Sequence, residues 1–415
     1  MDHGSFQSQE RLDSWKEIAS YLKRDRRTAQ RWERERGLPV HRIPGYKRSA
    51  VFAFVEELEL WLSGHADKSW RQSASDFPQG PRQREWGPAR DRSYPVNAEA
   101  HQEYLKGRYF WNKRGGGQIR RAIEHFRAAI RLDQDYALAY VGVAEAFLVL
   151  GYHTSMPTAE AYAEAKRAVL KALEIDPDLA EAHASLACIK AGHDWDLPGA
   201  LQAFEHALAL EPGYATTHQW YAEHLACVGR VDQAVAEARR ALKLDPTSLA
   251  INASAGLVLG QARRHEESVA QLKGALEIDK NFGTAHWLLG DVYLEMGRFE
   301  AAIKEHGLAA VLRGEPGQAA EARSVALSGA FRKGGEDAYW SKRLELAAAA
   351  AEPSSYELAM LYAKLEKTEA AVEHLKATYQ RRDYNLLYLG ISPAFDTLHN
   401  HPAVKGLMKR IGLPN

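Results

Sequence analysis

The strongest constraint on this chain is a repeated pattern that runs through its C-terminal three quarters. The short motifs LEIDP (173–177), LALEP (208–212), LKLDP (242–246) and LEIDK (276–280) recur, and their acidic residues lie 35, 34 and 34 positions apart. A period of this length is typical of stacked helical units, in which each unit buries its apolar face only against its neighbours. The sequence therefore predicts a mainly α-helical chain dominated by an α-solenoid.

The same units place small side chains where two antiparallel helices have to approach each other. In GTAHWLLGDVYLEMGRFEAAIKEHGLAAVLRG (283–314) the small positions are Gly290, Ala302 and Ala309. Gly256 with Ala275 repeats part of the same constellation one unit earlier. This pattern resembles the tetratricopeptide repeat family, and the resemblance implies a stack of helix pairs.

A tetratricopeptide solenoid has a concave groove that suits an extended peptide or a partner helix. The phase of the repeat predicts that five side chains line this groove: Gln219, Glu223, Asn252, Trp287 and Asp291. The basic and asparagine-rich clamp with which some family members grip a terminal carboxylate is not evident, because the equivalent positions carry Gln219, Glu223, Leu257 and Asp291. We predict a protein or peptide partner, and the sequence does not identify it.

A second feature is a basic run near the start of a chain whose formal net charge is zero. The stretch KRDRRTAQRWERERGLPVHRIPGYKR (23–48) holds ten basic residues against three acidic ones, a local excess of seven positive charges. Such asymmetry indicates a small basic module joined to a larger, slightly acidic one.

The pattern around the basic run predicts two short helices followed by a hairpin. Ser14 and Glu17 form a capping box before a first helix over 15–23, and a second, arginine-rich helix follows a tight turn. Strands near 40–43 and 49–53 flank the hairpin turn. The stretch SWKEIASYLKRDRRTAQRWERERGLPVHR resembles the winged helix-turn-helix of the MerR and excisionase-like families. This resemblance implies that the second helix enters the major groove of double-stranded DNA while the wing lies on the adjacent backbone.

The side chains of this module have the chemistry of DNA contacts. Arginine and glutamine can each hold a purine edge through two hydrogen bonds, and cations on a wing neutralise phosphates. For base edges we predict Arg27, Gln30 and Arg31. For phosphates we predict Arg26, Arg34, Arg42, Lys47 and Arg48, with Tyr46 at the wing tip offering a hydroxyl or a sugar contact. The alternative for several of these arginines is a surface ion pair with a nearby glutamate.

These resemblances divide the chain into four segments. Residues 11–64 are predicted to form the winged helix-turn-helix domain, and residues 65–97, rich in Pro, Gly, Ser, Gln and Arg, a flexible linker. Tetratricopeptide repeats are predicted over 98–382, with a poor fit over 317–350, and residues 383–415 are predicted to cap the stack.

Little in the sequence indicates an enzyme. HEESV (265–269) resembles the start of a zinc-protease HExxH motif, but Val269 stands in place of the second histidine. GGG (115–117) is not followed by the GK[ST] of a phosphate-binding loop. Cys188 and Cys227 lie in alanine-rich helical patterns and are predicted to be buried thiols. We predict no catalytic site, no metal ion and no cofactor.

Together these features predict a sequence-specific DNA-binding transcriptional regulator whose solenoid binds a protein partner or mediates self-association. A small head binds DNA weakly, so a homodimer on paired half-sites is expected. No long apolar stretch and no signal-peptide pattern occurs in the sequence, and we expect a cytoplasmic protein that does not enter a membrane. Two alternatives stay open: an interaction scaffold whose head binds DNA nonspecifically or binds protein, and an excision or recombination accessory factor.

Overall fold

The computed structural model describes residues 11–12, 15–22, 29, 32–33, 38–42, 51–54, 58, 97–112, 116–152 and 156–414. These residues are mainly helical. The chain divides into two units, residues 1–88 and residues 89–415, and each has its own apolar core.

The described residues of the N-terminal unit include a helix and three short strands. Strand β1 spans Arg11–Leu12, helix α1 spans Trp15–Tyr21, strand β2 spans His41–Arg42 and strand β3 spans Val51–Phe54. The sheet is antiparallel with the order β1-β3-β2. The two segments predicted to flank the hairpin turn therefore pair with each other, and β1 adds a third strand that the sequence pattern does not predict.

Apolar side chains pack α1 and this sheet into one small core. Trp15, Ile18 and Leu22 are buried at helical spacing, and Ala53 of β3 is buried against them. Trp32 packs partly buried on the same cluster. The assignment of a winged helix-turn-helix stays a prediction, because most of the second predicted helix lies outside the described residues.

The second unit is a stack of antiparallel helix pairs. Its α-helices are α2 (Ala98–Asn112), α3 (Gly116–Leu132), α4 (Ala137–Tyr152), α5 (Thr158–Ile175), α6 (Ala180–Ile189), α7 (Leu197–Leu210), α8 (Ala215–Cys227), α9 (Val231–Leu244), α10 (Leu249–Gln261), α11 (His265–Ile278), α12 (Gly283–Glu295), α13 (Phe299–Leu312), α14 (Gly317–Ala348), α15 (Ser355–Lys364), α16 (Thr368–Gln380) and α17 (Pro402–Arg410).

The recurring acidic residues end the second helix of a pair and shape the turn that follows. The backbone N–H of Asp245 donates to the carbonyl of Ala241 at 2.9 Å, and the Asp245 carboxylate accepts from the backbone N–H of Thr247 at 3.3 Å. The same two kinds of bond are made by Asp176, Glu211 and Asp279. The period in the sequence therefore marks a repeated side-chain-stabilised turn.

The predicted small positions allow the paired helices to lie close together. A Cβ atom added at Gly256 would lie 2.5 Å from the Leu272 side chain, and one added at Gly107 would lie 2.5 Å from the ring of Phe126. Ala302, a small position on the second helix of the α12–α13 pair, is fully buried. The prediction of close helix pairs at these positions is confirmed.

Two parts of the stack depart from regular helix pairs. Helix α14 is interrupted at Gly334 and Gly335, and the left-handed φ of +65° at Gly335 explains the poor fit of this region to the repeat. A π-helix, Lys190–Asp194, follows α6 and ends at Trp195, whose φ is +57°.

The chain after α16 folds back onto the inner face of the stack. Two 3-10 helices, Tyr384–Gly390 and Pro393–Leu398, form what we call the C-terminal segment. The hydroxyl of its Tyr388 lies 3.1 Å from that of Tyr152 in α4, 236 positions earlier in the chain. Helix α17, which follows these two 3-10 helices, packs on α16. Residues 383–415 therefore do more than the predicted cap, because part of them fills the concave side.

Candidate ligand cavity

A cavity of about 590 Å³ lies between the inner face of the solenoid and the C-terminal segment. The first helices of successive pairs form one side of the cavity, with Tyr152 from α4 and Glu223 from α8. Tyr356 of α15 and Tyr388 of the C-terminal segment also line it. The cavity thus joins residues from both ends of the second unit.

Aromatic side chains form much of the cavity surface. They come from six different elements: Tyr152, Trp220, Trp287, Trp340, Tyr356 and Tyr388. Aromatic rings offer large apolar contact areas to a ligand, and the hydroxyl and indole groups add polar contacts at their edges.

Four of the five residues predicted in the groove line this cavity. Gln219 and Glu223 are joined by a hydrogen bond of 3.3 Å, and the Ser254 hydroxyl donates to Glu223 at 2.5 Å. Asp291 lies 3.1 Å from Nε2 of His306, whose ring is tilted against that of Trp287 with the ring centres 4.8 Å apart. The role of these four side chains in binding a partner stays a prediction.

Asn252, the fifth predicted groove residue, does not line the cavity. Its amide nitrogen donates to the carbonyl oxygens of Pro246 at 3.0 Å and Ser248 at 2.8 Å, and its amide oxygen accepts from Gln271 at 2.7 Å. The equivalent residues of other pairs also bond the carbonyl six positions earlier: His183, His218 and His286. The side chain at this position therefore stabilises the turn between pairs. The phase of the repeat places Asn252 on the correct helix, but its amide bonds the turn and does not face the cavity.

Three cations lie over tryptophan rings at the cavity surface: Arg313, Lys364 and Arg343. The guanidinium of Arg313 lies 4.7 Å from the Trp287 ring centre, and the ammonium of Lys364 lies 5.5 Å from the Trp340 ring centre. Arg343, a third cation, is 3.4 Å from the Glu357 carboxylate. Cation–π contacts of this kind hold the first two side chains in place without neutralising their charge.

Glu295 is an acid of the cavity whose pKa is raised. Burial raises its pKa from 4.5 to about 7, Arg263 opposes the rise, and the negative charge of Asp291 adds to it. The Glu295 side chain keeps 28 % of its surface accessible, and its carboxylate lies 3.4 Å from Nδ1 of His265. At neutral pH about half of these carboxyl groups are therefore uncharged.

A separate buried ion pair lies between the first helices of the early pairs. The Glu145 carboxylate is fully buried, and it accepts hydrogen bonds from Arg108 at 2.5 Å and from the Tyr214 hydroxyl at 2.9 Å. The charge of Glu145 raises the pKa of Arg108 against the opposing effect of burial. The sequence analysis does not predict this network. The one available signal is a glutamate in the otherwise apolar run of α4.

The predicted DNA-contacting residues fall almost entirely outside the described residues. These are Arg26, Arg27, Gln30, Arg31, Arg34, Tyr46, Lys47 and Arg48. Arg42 is in β2, where only the backbone is described. All nine assignments therefore stay predictions.

Other predicted features can be compared with the structure directly. Cys188 and Cys227 are free, buried thiols, as predicted. In the part of the chain that the structure describes, no group of three or more His, Cys, Asp or Glu side chains is placed to hold a metal ion. None of the described helices combines the length and apolar character required to cross a membrane.

Comparison with known protein families supports the repeat assignment. Residues 254–322 match the family model of the tetratricopeptide repeat. The matched stretch runs from within α10 to the start of α14, so the chain contains tetratricopeptide repeats in the region that includes the unit over 283–314.

Comparison with individual proteins gives a regulator and several repeat proteins. The chain is 26% identical over 147 residues to the transcriptional regulator HilA of Salmonella typhimurium, and to HilA of Salmonella typhi, a match that covers 35% of this chain and 26% of the regulator. The match thus spans about a quarter of the length of these relatives.

Among solved structures, PilF of Pseudomonas aeruginosa is 21% identical, with a TM-score of 0.37 over 56% of this chain and 98% of that one. YrrB, a tetratricopeptide protein with an unusual peptide-binding site, is 19% identical, with a TM-score of 0.31 over 48% of this chain and 97% of that one.

Proposed function

We propose that this protein is a DNA-binding transcriptional regulator with an N-terminal winged helix-turn-helix head and a tetratricopeptide body. The observation that carries the proposal is the basic run over 23–48, with its excess of seven charges, in a chain that also contains tetratricopeptide repeats. The local similarity to the regulator HilA supports it.

The described part of the N-terminal unit is consistent with this head. Helix α1 packs on a small antiparallel sheet through Trp15 and Ile18, and β2 and β3 pair as the two arms of a wing would. Ala29 is fully buried on the same core, which would turn the opposite face of a second helix outwards. Arg27, Gln30, Arg31 and Arg34 are the side chains that we assign to that outer face.

In this proposal the solenoid has a regulatory and not a catalytic role. Tetratricopeptide repeats present extended surfaces to other proteins, and we assign to them a protein partner or a second copy of this chain. A homodimer would bring two heads onto paired half-sites and so raise their effective concentration on DNA.

The test is selection of bound sequences from a random double-stranded DNA library by the full-length protein at physiological salt. The Arg27→Ala, Gln30→Ala double variant is selected in parallel, and an Arg167→Ala variant, altered on the exposed surface of α5, is the matched control. We expect a compact or two-fold motif that the double variant loses and the control retains.

Two results would contradict the proposal. Binding without any sequence motif, or a motif that the double variant retains, would favour a scaffold with a nonspecific head. Sharp bending of DNA at a recombination site, measured by the mobility of circularly permuted fragments, would favour the accessory-factor alternative.

A further inference from the structure

The C-terminal segment changes the kind of ligand that the concave face of this solenoid can hold. Besides the Tyr152–Tyr388 contact, the Tyr384 hydroxyl lies 3.5 Å from Nε2 of the buried His224, and Arg382 bonds the carbonyl of His193. The remaining cavity of about 590 Å³ is within the range of roughly 300–1,000 Å³ that is usual for small-molecule sites. A small organic compound therefore fits the cavity better than an extended peptide.

The charged groups of the cavity are unequally neutralised. Glu357 faces Arg343, Asp291 faces His306, and Glu223 accepts from Ser254. Burial leaves the Glu295 carboxyl, with its pKa of about 7, only partly ionised at neutral pH.

Arg313 and Lys364, two of the three cations on the tryptophan rings, have no such partner at ion-pair distance. Among the described residues neither Arg313 nor Lys364 forms an ion pair, although Lys364 is close enough to Glu295 to lower the pKa of that group. Arg313 therefore faces the cavity without an ion pair at contact distance, and Asp291 is the acidic residue close enough to raise its pKa. Partial desolvation by the surrounding protein lowers the pKa of Arg313 although the residue stays exposed, and an anionic partner would favour its charged form.

We propose that this cavity binds a small organic anion, with its acidic group on Arg313 and its apolar body against Trp287, Trp220 and Tyr388. The flat guanidinium offers two parallel donors to a carboxylate, sulfonate or phosphate. The three rings supply the apolar surface that such a body requires. This inference deepens the proposed function by naming the ligand that the solenoid would sense, but it does not require that the head binds DNA.

The experiment compares two dyes that share an aromatic body and differ in charge. Anilinonaphthalene sulfonate is anionic, and N-phenylnaphthylamine is its neutral counterpart. Each is titrated by fluorescence into the full-length protein, the Arg313→Met variant and an Arg167→Met control. Arg313 is exposed and forms no ion pair among the described residues, so its replacement should leave the fold intact, which circular dichroism checks. Arg167 is an exposed arginine of α5 outside the cavity.

We expect the anionic dye to bind with one site per chain and to be displaced by decanoate. Loss of a charge-assisted hydrogen bond, about 1.5–3 kcal/mol, should weaken the anionic dye at least tenfold in the Arg313→Met variant. The affinity of the neutral dye should change by less than about twofold, and the control should bind both dyes like the unmodified protein.

Three outcomes would overturn the proposal: no saturable binding of the anionic dye, equal weakening of both dyes by Arg313→Met, or equal weakening by the Arg167→Met control. A Lys364→Met variant serves as the second measurement. A larger effect there than at Arg313 would also contradict the assigned position of the acidic group. None of these results depends on the DNA selection, so the two proposals can fail separately.

Discussion

Removing Arg108 should strongly destabilise the solenoid, because it would leave a buried carboxylate without its cation. Glu145 has no accessible surface, and its carboxylate is held by Arg108 at 2.5 Å and Tyr214 at 2.9 Å. Breaking a buried ion pair by removal of one partner costs about 3–5 kcal/mol. We expect Arg108→Met to cost about 3 kcal/mol, at the lower end, because Tyr214 still donates to the carboxylate.

The same reasoning makes an opposite prediction for the double variant. Arg108→Met combined with Glu145→Leu removes both charges and keeps apolar volume, a change that is often neutral or stabilising for buried pairs. The double variant should therefore be more stable than the Arg108→Met single variant.

The assay is urea unfolding followed by circular dichroism, with hydrogen exchange of α2 and α4 as a local readout, since solenoid stability is distributed among neighbouring repeats. A loss below about 1 kcal/mol in the single variant, or a double variant less stable than the single, would refute the argument.

Three further predictions follow from individual buried groups. Leu272→Ala should lower the free energy of unfolding, measured in urea, by about 2–5 kcal/mol, because the Leu272 side chain is fully buried beside Gly256. The control Leu244→Ala, at a position that is 42% exposed, should lower it by less than about 0.5 kcal/mol. Burial lowers the pKa of His224 to about 4, so the stabilising contribution of the neutral ring is present above pH 6.5. We expect the free energy of unfolding to fall by about 3 kcal/mol as pH falls towards 4. The His224→Gln variant should lack this part of the pH dependence. The raised pKa of Glu295 has the opposite effect, because its stabilising contribution is present below pH 4.5 and is lost as pH rises through about 7. Between these pH values the urea midpoint of the unmodified protein should therefore fall relative to that of Glu295→Gln. A difference in midpoint that does not change with pH would contradict the raised pKa.

The helix pairs were predictable because their determinants are local in the sequence. Asp245 and its equivalents close a turn within two residues of themselves, and Gly256 permits the approach of Leu272, which lies within the same pair. Since each pair contacts mainly its neighbours, the period alone is sufficient to place Glu223 and Trp287 on the inner face.

The position of Asn252 shows what helical phase alone does not predict. Helical phase fixes the direction of the Cα–Cβ bond but not the hydrogen bonds that a polar side chain makes near the first turn of a helix. The sequence nevertheless held a signal, because His218 and His286 occupy the same place in neighbouring pairs. A histidine or asparagine that recurs with the period is more simply explained by a repeated turn contact than by a ligand.

The closure of the groove by the C-terminal segment could not be predicted from local pattern. The contact between Tyr152 and Tyr388 spans 236 positions, and it requires that small rotations between successive pairs add up to a turn of the solenoid. No single repeat encodes that sum.

The strength of this closure determines whether the segment is a removable lid or a fixed wall. Its exposed ion pair, Arg263 with Asp396 at 3.1 Å, contributes no more than about 1 kcal/mol. By contrast Leu386, Leu387 and Phe395 are fully buried, and burial of each such side chain contributes about 1.5–3 kcal/mol. Displacing the segment would expose all three at a cost of roughly 5–9 kcal/mol, which a peptide would have to regain in the groove. A small molecule that enters the existing cavity avoids this cost, and the energetics of closure thus favour a small ligand independently of the charge of Arg313.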